Sequence, residues 1–196
     1  IEPDTLFCCI PGAAHDGHDF AAGAVDDGAS ALLVERRREL PVPPLIVPSV
    51  RTAIGPAACA VFGNPSHRLE MVGVTGTNGK TTVVHLLEAT LGRDGSSVES
   101  FGTLTGVRTT PEAPELQKRL LRAADLGVRS VAMEVSSHAL DLHRVDGTRF
   151  RVAVFTNLGH DHLDHHRTVE AYFEAKARLF TPEFADLAVI NTDDPK

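Results

Sequence analysis

The stretch Met71–Leu87, MVGVTGTNGKTTVVHLL, constrains the fold of this chain more than any other. It reads as a buried strand ending in a glycine loop, followed by a helix over Thr81–Leu91. Gly76 and Gly79 permit a tight turn in which backbone N–H groups approach phosphate oxygens. Lys80 brings a point charge to the β- and γ-phosphates, the Thr81 hydroxyl can ligate Mg²⁺, and the helix dipole favours an anion at its start. Val74 stands where the usual phosphate-loop pattern has its first glycine, five residues before Gly79. With a strand before the loop and a helix after it, the expectation is an ATP site over Gly76, Thr77, Asn78, Gly79, Lys80, Thr81 and Thr82.

Downstream the alternation continues. VESFGT reads as a strand and Pro114–Leu126 as a helix. SVAMEVSS and VAVFTNL are near-continuous apolar runs of the kind parallel strands show when both faces are covered. Thr168–Phe180 reads as a helix and LAVIN as a further strand. Such alternation predicts an α/β fold with a doubly wound, mostly parallel sheet. The first third reads as a smaller α/β unit. LFCCI, ALLVE and LIVP are its strands, Phe20–Gly28 is a short helix, and Ser49 caps a helix running to about Phe62. The breaker-rich GNPSH, Gly63–His67, places the expected boundary between domains 1–67 and 68–196.

Composition narrows the class. A formal net charge of −7 argues against a nucleic-acid or anionic-membrane role, and the Arg36–Arg38 run is most simply a solvated strand exit. Three cysteines at no metal or disulfide spacing favour a reducing compartment. No apolar run is long enough to span a bilayer and no signal peptide is visible, so a cytoplasmic protein without membrane insertion is expected; a monomer is expected as well. The chain begins at Ile1 and stops just after a strand, which suggests missing residues at both ends.

GHDHLDHH, Gly159–His166, packs four of the ten histidines into eight residues. Alone it fits the His-x-His-x-Asp-His signature of dinuclear zinc hydrolases, through His160, His162, Asp164 and His165. Such sites need further ligands downstream, and no histidine follows His166. The motif also follows a strand of a nucleotide-binding sheet, so the zinc-hydrolase reading is set aside.

The glycine-poor loop Gly-Thr-Asn-Gly-Lys-Thr-Thr resembles that of the Mur ligase superfamily, which includes folylpolyglutamate synthases. TTPEAPELQ, AMEVSSHAL, HRVDG, FTNLGHDHLDHH and YFEAKARLF follow in order and are most similar to the MurE-type branch, ligases that add the third residue of the peptidoglycan stem. PGAAHDGHDF resembles that branch's uridine-binding loop. Folylpolyglutamate synthases lack the Thr-Thr-Pro and Met-Glu-Val-Ser-Ser-His segments and rank lower.

The resemblance implies a working set of Lys80, Thr81, Glu134, His162 and Lys176, with Asn157 near the ATP. Thr81 and Glu134 would hold one Mg²⁺ at the ATP phosphates, and His162 with Lys176 a second. Lys176, by pattern alone a solvated helix residue, would carry a CO₂-derived carbamate, though here an ordinary lysine facing Lys80 and Glu134 is expected. His160 would be a variable position, and His165 and His166 would cap or flank the next helix. Thr109, Thr110, Ser136 and Arg144 match positions that hold the sugar-linked peptide; Leu142 replaces a glutamine found in some relatives.

The reaction implied is ATP-dependent amide formation through an acyl phosphate, joining diaminopimelate or lysine to a UDP-linked muramoyl dipeptide. The alternatives are a folylpolyglutamate-synthase-like ligase, or a truncated nucleotide-binding module that no longer ligates. Nothing in the sequence matches the family's third domain, so these 196 residues alone are expected to be inactive.

Overall fold

The computed structural model describes residues 4–12, 14–37, 39–105 and 108–193. Ala13 of the Pro11–Phe20 segment, Arg38 of the basic run and the last three residues of the chain lie outside them. The chain divides into two compact units, 1–57 and 58–196, whose boundary falls earlier than Gly63–His67.

In the first unit β1 (Thr5–Cys8), β2 (Ala29–Val34) and β3 (Pro44–Ile46) form a three-stranded parallel sheet in the order β1-β2-β3. A 3₁₀ turn at Gly17–Phe20 leads into α1 (Ala21–Asp26). Cys9, Ala21, Leu32 and Val34 make the unit's small core. Asp16 accepts bonds from the His18 backbone and ring and from Arg36, which together hold its carboxyl well below the usual carboxylate range. The Glu35 backbone N–H donates to His18 Nε2 at 3.0 Å, so the ring proton sits on Nδ1, facing Asp16. The helix α2 (Val50–Val61) begins as expected, with Ser49 Oγ accepting from the Thr52 N–H at 3.3 Å.

The second unit is a five-stranded, all-parallel sheet ordered β5-β6-β4-β7-β8. Its strands are β4 (Glu70–Thr75), β5 (Val98–Phe101), β6 (Ser130–Glu134), β7 (Phe150–Phe155) and β8 (Ala185–Ile190). Its helices are α3 (Lys80–Leu91), α4 (Ala113–Asp125), α5 (Ser137–Asp141), α6 (Leu163–His166) and α7 (Val169–Ala177).

The apolar runs read from the sequence have a two-sided cause. Val131 and Met133 of β6 pack with Leu116, Leu120 and Ala123 of α4, whereas Ala132 between them packs with Val84 of α3. Leu116, Leu120 and Ala123 recur at helical spacing and each is fully buried. A buried leucine contributes about 2 kcal/mol. The short α5 and α6 are not evident in the hydrophobic pattern, because helices of five and four residues carry no periodicity to read. No helix among the described residues is long and apolar enough to cross a membrane.

β4 lies at the centre of this order. The chain leaves it through α3 to reach β5 on one side, while β7 lies on the other. In open parallel sheets the crevice at the carboxyl ends of strands, where the order reverses, is the place for a ligand.

Candidate active site

The loop leaving β4 is bent by two glycines with positive φ, Gly76 at 142° and Gly79 at 83°. Gly76 is also forced by space, since a Cβ there would lie 1.9 Å from Thr156 Oγ1. The segment after β7 clamps the loop. Thr77 N–H donates to Asn157 O at 2.9 Å, Asn78 N–H to Asn157 Oδ1 at 3.0 Å, and Thr156 Oγ1 to Asn78 O at 2.7 Å. Asn157, expected near the nucleotide, is thus a brace of the loop itself. Gly79, the N-cap of α3, has no side chain to cap it, so the first-turn N–H groups keep the donor character of a helix start.

A cleft of about 270 Å³ opens at this loop, lined by Thr77–Thr81, Thr103, Thr109, Glu134, Ser136, Ser137, His162, Tyr172 and Lys176. Ten of the residues singled out from the sequence therefore meet at one place. Thr82 lies in the first turn of α3 and is outside the lining. Thr110 is buried beneath the cleft. Its hydroxyl donates to Glu134 O at 3.0 Å and accepts from the Ser136 N–H at 3.1 Å, which holds the strand end in place. Ser136 Oγ caps α5 by accepting from Ala139 N–H. Arg144 does not line the cleft; it pairs with Glu112 at 3.0 Å and donates towards Thr110 O at 3.4 Å.

Glu134 is 2% exposed at the end of β6. It accepts from Thr81 Oγ1 at 3.0 Å and from Thr103 N–H at 2.8 Å. Gly102 has no side chain because Glu134 occupies that space: a Cβ would sit 2.2 Å from Glu134 Oε1. All the donors to this carboxylate are neutral, and among the described residues no lysine or arginine pairs with it.

Lys176 is 1% exposed, so the solvated-residue pattern reading is corrected. It fails because α7 packs against the loop: Lys176 Nζ donates to Gly76 O at 2.9 Å and lies 4.2 Å from the centre of the Tyr172 ring. Burial, and then the charge of Lys80, pull its pKa down to about 7. Lys80, at the start of α3, is half-buried. Its ammonium folds back onto Gly76 O and Thr77 O, each at 2.9 Å, and burial lowers its pKa against the opposing charge of Glu134.

Tyr172, Thr103 and Ser137 line the cleft but were not read from the sequence. Tyr172 carried a signal: it is the chain's one tyrosine, four residues before Lys176 on a helix, hence on the same face. Its hydroxyl lies 3.1 Å from Thr77 Oγ1, which in turn accepts from Gly159 N–H.

The histidines regroup. His162, in a left-handed conformation with φ 54°, starts α6 and lines the cleft. His165 and His166 lie within α6 and do not cap α7; Thr168 does that, accepting from Ala171 N–H. The His138 ring of α5 stands 4.7, 4.1 and 5.4 Å from those of His162, His165 and His166. Burial lowers the pKa of both His138 and His166, and the neighbouring rings add to it. His160 is exposed and outside the group.

Strand order, loop and cleft together define a doubly wound α/β domain with a phosphate loop at its switch point. Two family models match the chain: "Mur ligase family, catalytic domain" over residues 1–76 and "Mur ligase middle domain" over residues 74–196. The chain belongs to the Mur ligase family. Among curated relatives, UDP-N-acetylmuramoyl-L-alanyl-D-glutamate--2,6-diaminopimelate ligase of Geobacter metallireducens is 46% identical, over 97% of this chain and 41% of its own length. The Aquifex aeolicus protein of the same name is 44% identical over 99% of the chain and 42% of its own. A solved structure of a ligase of that name superposes with a TM-score of 0.84 at 31% identity, covering 100% of this chain and 42% of that one. MurF ligase from Thermotoga maritima in complex with ADP gives a TM-score of 0.68 at 27% identity, covering 100% of this chain and 44% of that one. The chain thus spans about two fifths of the length of the curated relatives it matches.

Proposed function

We propose that this chain is the UDP-substrate- and nucleotide-binding part of an ATP-dependent ligase that joins diaminopimelate to UDP-N-acetylmuramoyl-L-alanyl-D-glutamate. The observation that carries the reading is the convergence of Lys80, Thr81, Glu134 and Lys176 on one cleft at the phosphate loop. The names of its relatives favour diaminopimelate over lysine as the added amine. The first unit, through the segment around Asp16–Phe20, binds the uridine end. The protein works as a cytoplasmic monomer.

In the reaction the free carboxylate of the dipeptide attacks the γ-phosphorus of ATP, giving an acyl phosphate and ADP. The amine then attacks the acyl carbon and expels phosphate. The loop N–H groups and Lys80 hold the β- and γ-phosphates, so catalysis is mainly positioning and charge neutralisation. Thr109 and Ser136, at the cleft wall, contact the sugar-linked peptide; Thr110 acts through them, and Arg144 orients Glu112 and the Thr110 backbone beside them.

The donor set fits magnesium, because Glu134 is a buried carboxylate whose hydrogen-bond donors, Thr81 and Thr103, are neutral. Thr81 and Glu134 would hold that ion, and His162 with a carbamate on Lys176 a second; bound there, they would neutralise charge on the transferring phosphoryl group. Lys176 suits the modification, since an amine with its pKa near 7 is substantially neutral at physiological pH. Its nitrogen lone pair adds to the carbon of CO₂ and the displaced proton passes to water.

The test is phosphate release from ATP by the protein that carries this chain. Release should require both the UDP-linked dipeptide and diaminopimelate. Release with lysine alone would overturn the choice of amine, and release needing neither would overturn the ligase.

A further inference from the structure

A second polar cluster lies behind the cleft, where α6 folds back onto α5. Asp141 ends α5, and His165 and His166 end α6. The left-handed turn at His162 aims α6 at α5, bringing His165 Nε2 to 2.8 Å from Asp141 Oδ2. The rings of His165 and His166 stand 4.7 Å apart and 83° to one another. One donor atom from each of the three residues lies within 4.8 Å of the others.

We propose that Asp141, His165 and His166 form a site for one transition-metal ion of the zinc class, with water completing the coordination. Two imidazoles and a carboxylate are a set that zinc or cobalt takes and that magnesium, which favours oxygen, does not. Donor atoms around a tetrahedral zinc lie about 3.4 Å apart, from metal–ligand distances of about 2.1 Å. The shift needed is small, and Asp141, which is exposed, is free to make it. The Nε2 of His166 lies 3.0 Å from Ser137 Oγ, and a ligating imidazole is commonly oriented by such a partner on its other nitrogen. The His138 ring, 4.1 Å from that of His165, supports the other histidine.

This site is not the magnesium position. None of its three residues lines the nucleotide cleft, although Ser137 and His162 touch both. It also differs from the hydrolase motif weighed in the sequence, because Asp141 comes from another helix and His160 takes no part. The inference does not depend on the ligase reading.

The test is titration of metal-free protein with Co²⁺ under excess Mg²⁺, followed through the visible absorption of four-coordinate cobalt, with Zn²⁺ then displacing it. One ion per chain is expected. Asp141→Asn and His165→Phe change surface-accessible side chains, and circular dichroism checks their folding. Each should weaken binding at least about tenfold. His160→Ala and Glu134→Gln should leave it unchanged. Absence of cobalt absorption, unchanged affinity in both site variants, or loss of binding in Glu134→Gln would overturn the assignment.

Discussion

Lys80 and Lys176, ninety-six positions apart in the sequence, donate to the same acceptor, the carbonyl oxygen of Gly76, each at 2.9 Å. Two ammonium groups sharing one carbonyl in a buried setting repel one another. Lys176, the more buried, takes the larger consequence, with its pKa pulled to about 7.

That depression has a defined pH signature. Between pH 7 and the ordinary lysine value the unfolded chain holds a proton on Lys176 that the folded chain has released, so stability rises with pH in this window. The penalty is fully present below pH 7 and gone above about 10.5. From pH 7 to 9 this one group should add about 2 kcal/mol. Urea denaturation of the native chain and of Lys176→Met at both pH values checks it. The native chain should gain more over the interval, and equal gains would contradict the burial argument.

Lys80→Met should keep the fold, because its ammonium bonds to the loop carbonyls of Gly76 and Thr77, yet weaken ATP binding by at least about a hundredfold, or about 2.7 kcal/mol. Isothermal titration with ATP and Mg²⁺ measures this directly. An unchanged affinity would move the phosphates away from the loop.

The two loop glycines should respond differently to alanine. At Gly79 the space is open, so only the left-handed backbone is strained and the cost is about 1 kcal/mol. At Gly76 the new Cβ meets Thr156 Oγ1, and displacing that clamp should cost about 3 kcal/mol or more. Thermal denaturation of both variants ranks them.

Gly102→Ala reaches the site indirectly. Its Cβ would push Glu134 off its place beside Thr81, so the enhancement of ATP affinity by Mg²⁺ should fall about tenfold or more, while affinity in the presence of chelator changes little. Titrations with Mg²⁺ and with chelator give the ratio.

The sequence by itself determined the local elements and the phosphate loop, because these depend on short-range causes. Period and run length mark strands and helices, a serine marks the start of α2, and glycine, lysine and threonine at fixed offsets mark the loop. It also carried, through resemblance, most of the residues that line the cleft. Only the tertiary structure decided what touches what across distant segments. Asn157 became a loop brace, Thr110 a buried strut and Lys176 a buried amine, since each outcome depends on which surface packs over it. The histidines show the same division. Their crowding was visible along the chain, but which of them meet was settled by a left-handed turn at His162 and by α5, whose five residues leave no periodic trace. Burial and like charge then set the proton affinity of Lys176, and neither exists until the sheet order brings α7 against the loop leaving β4.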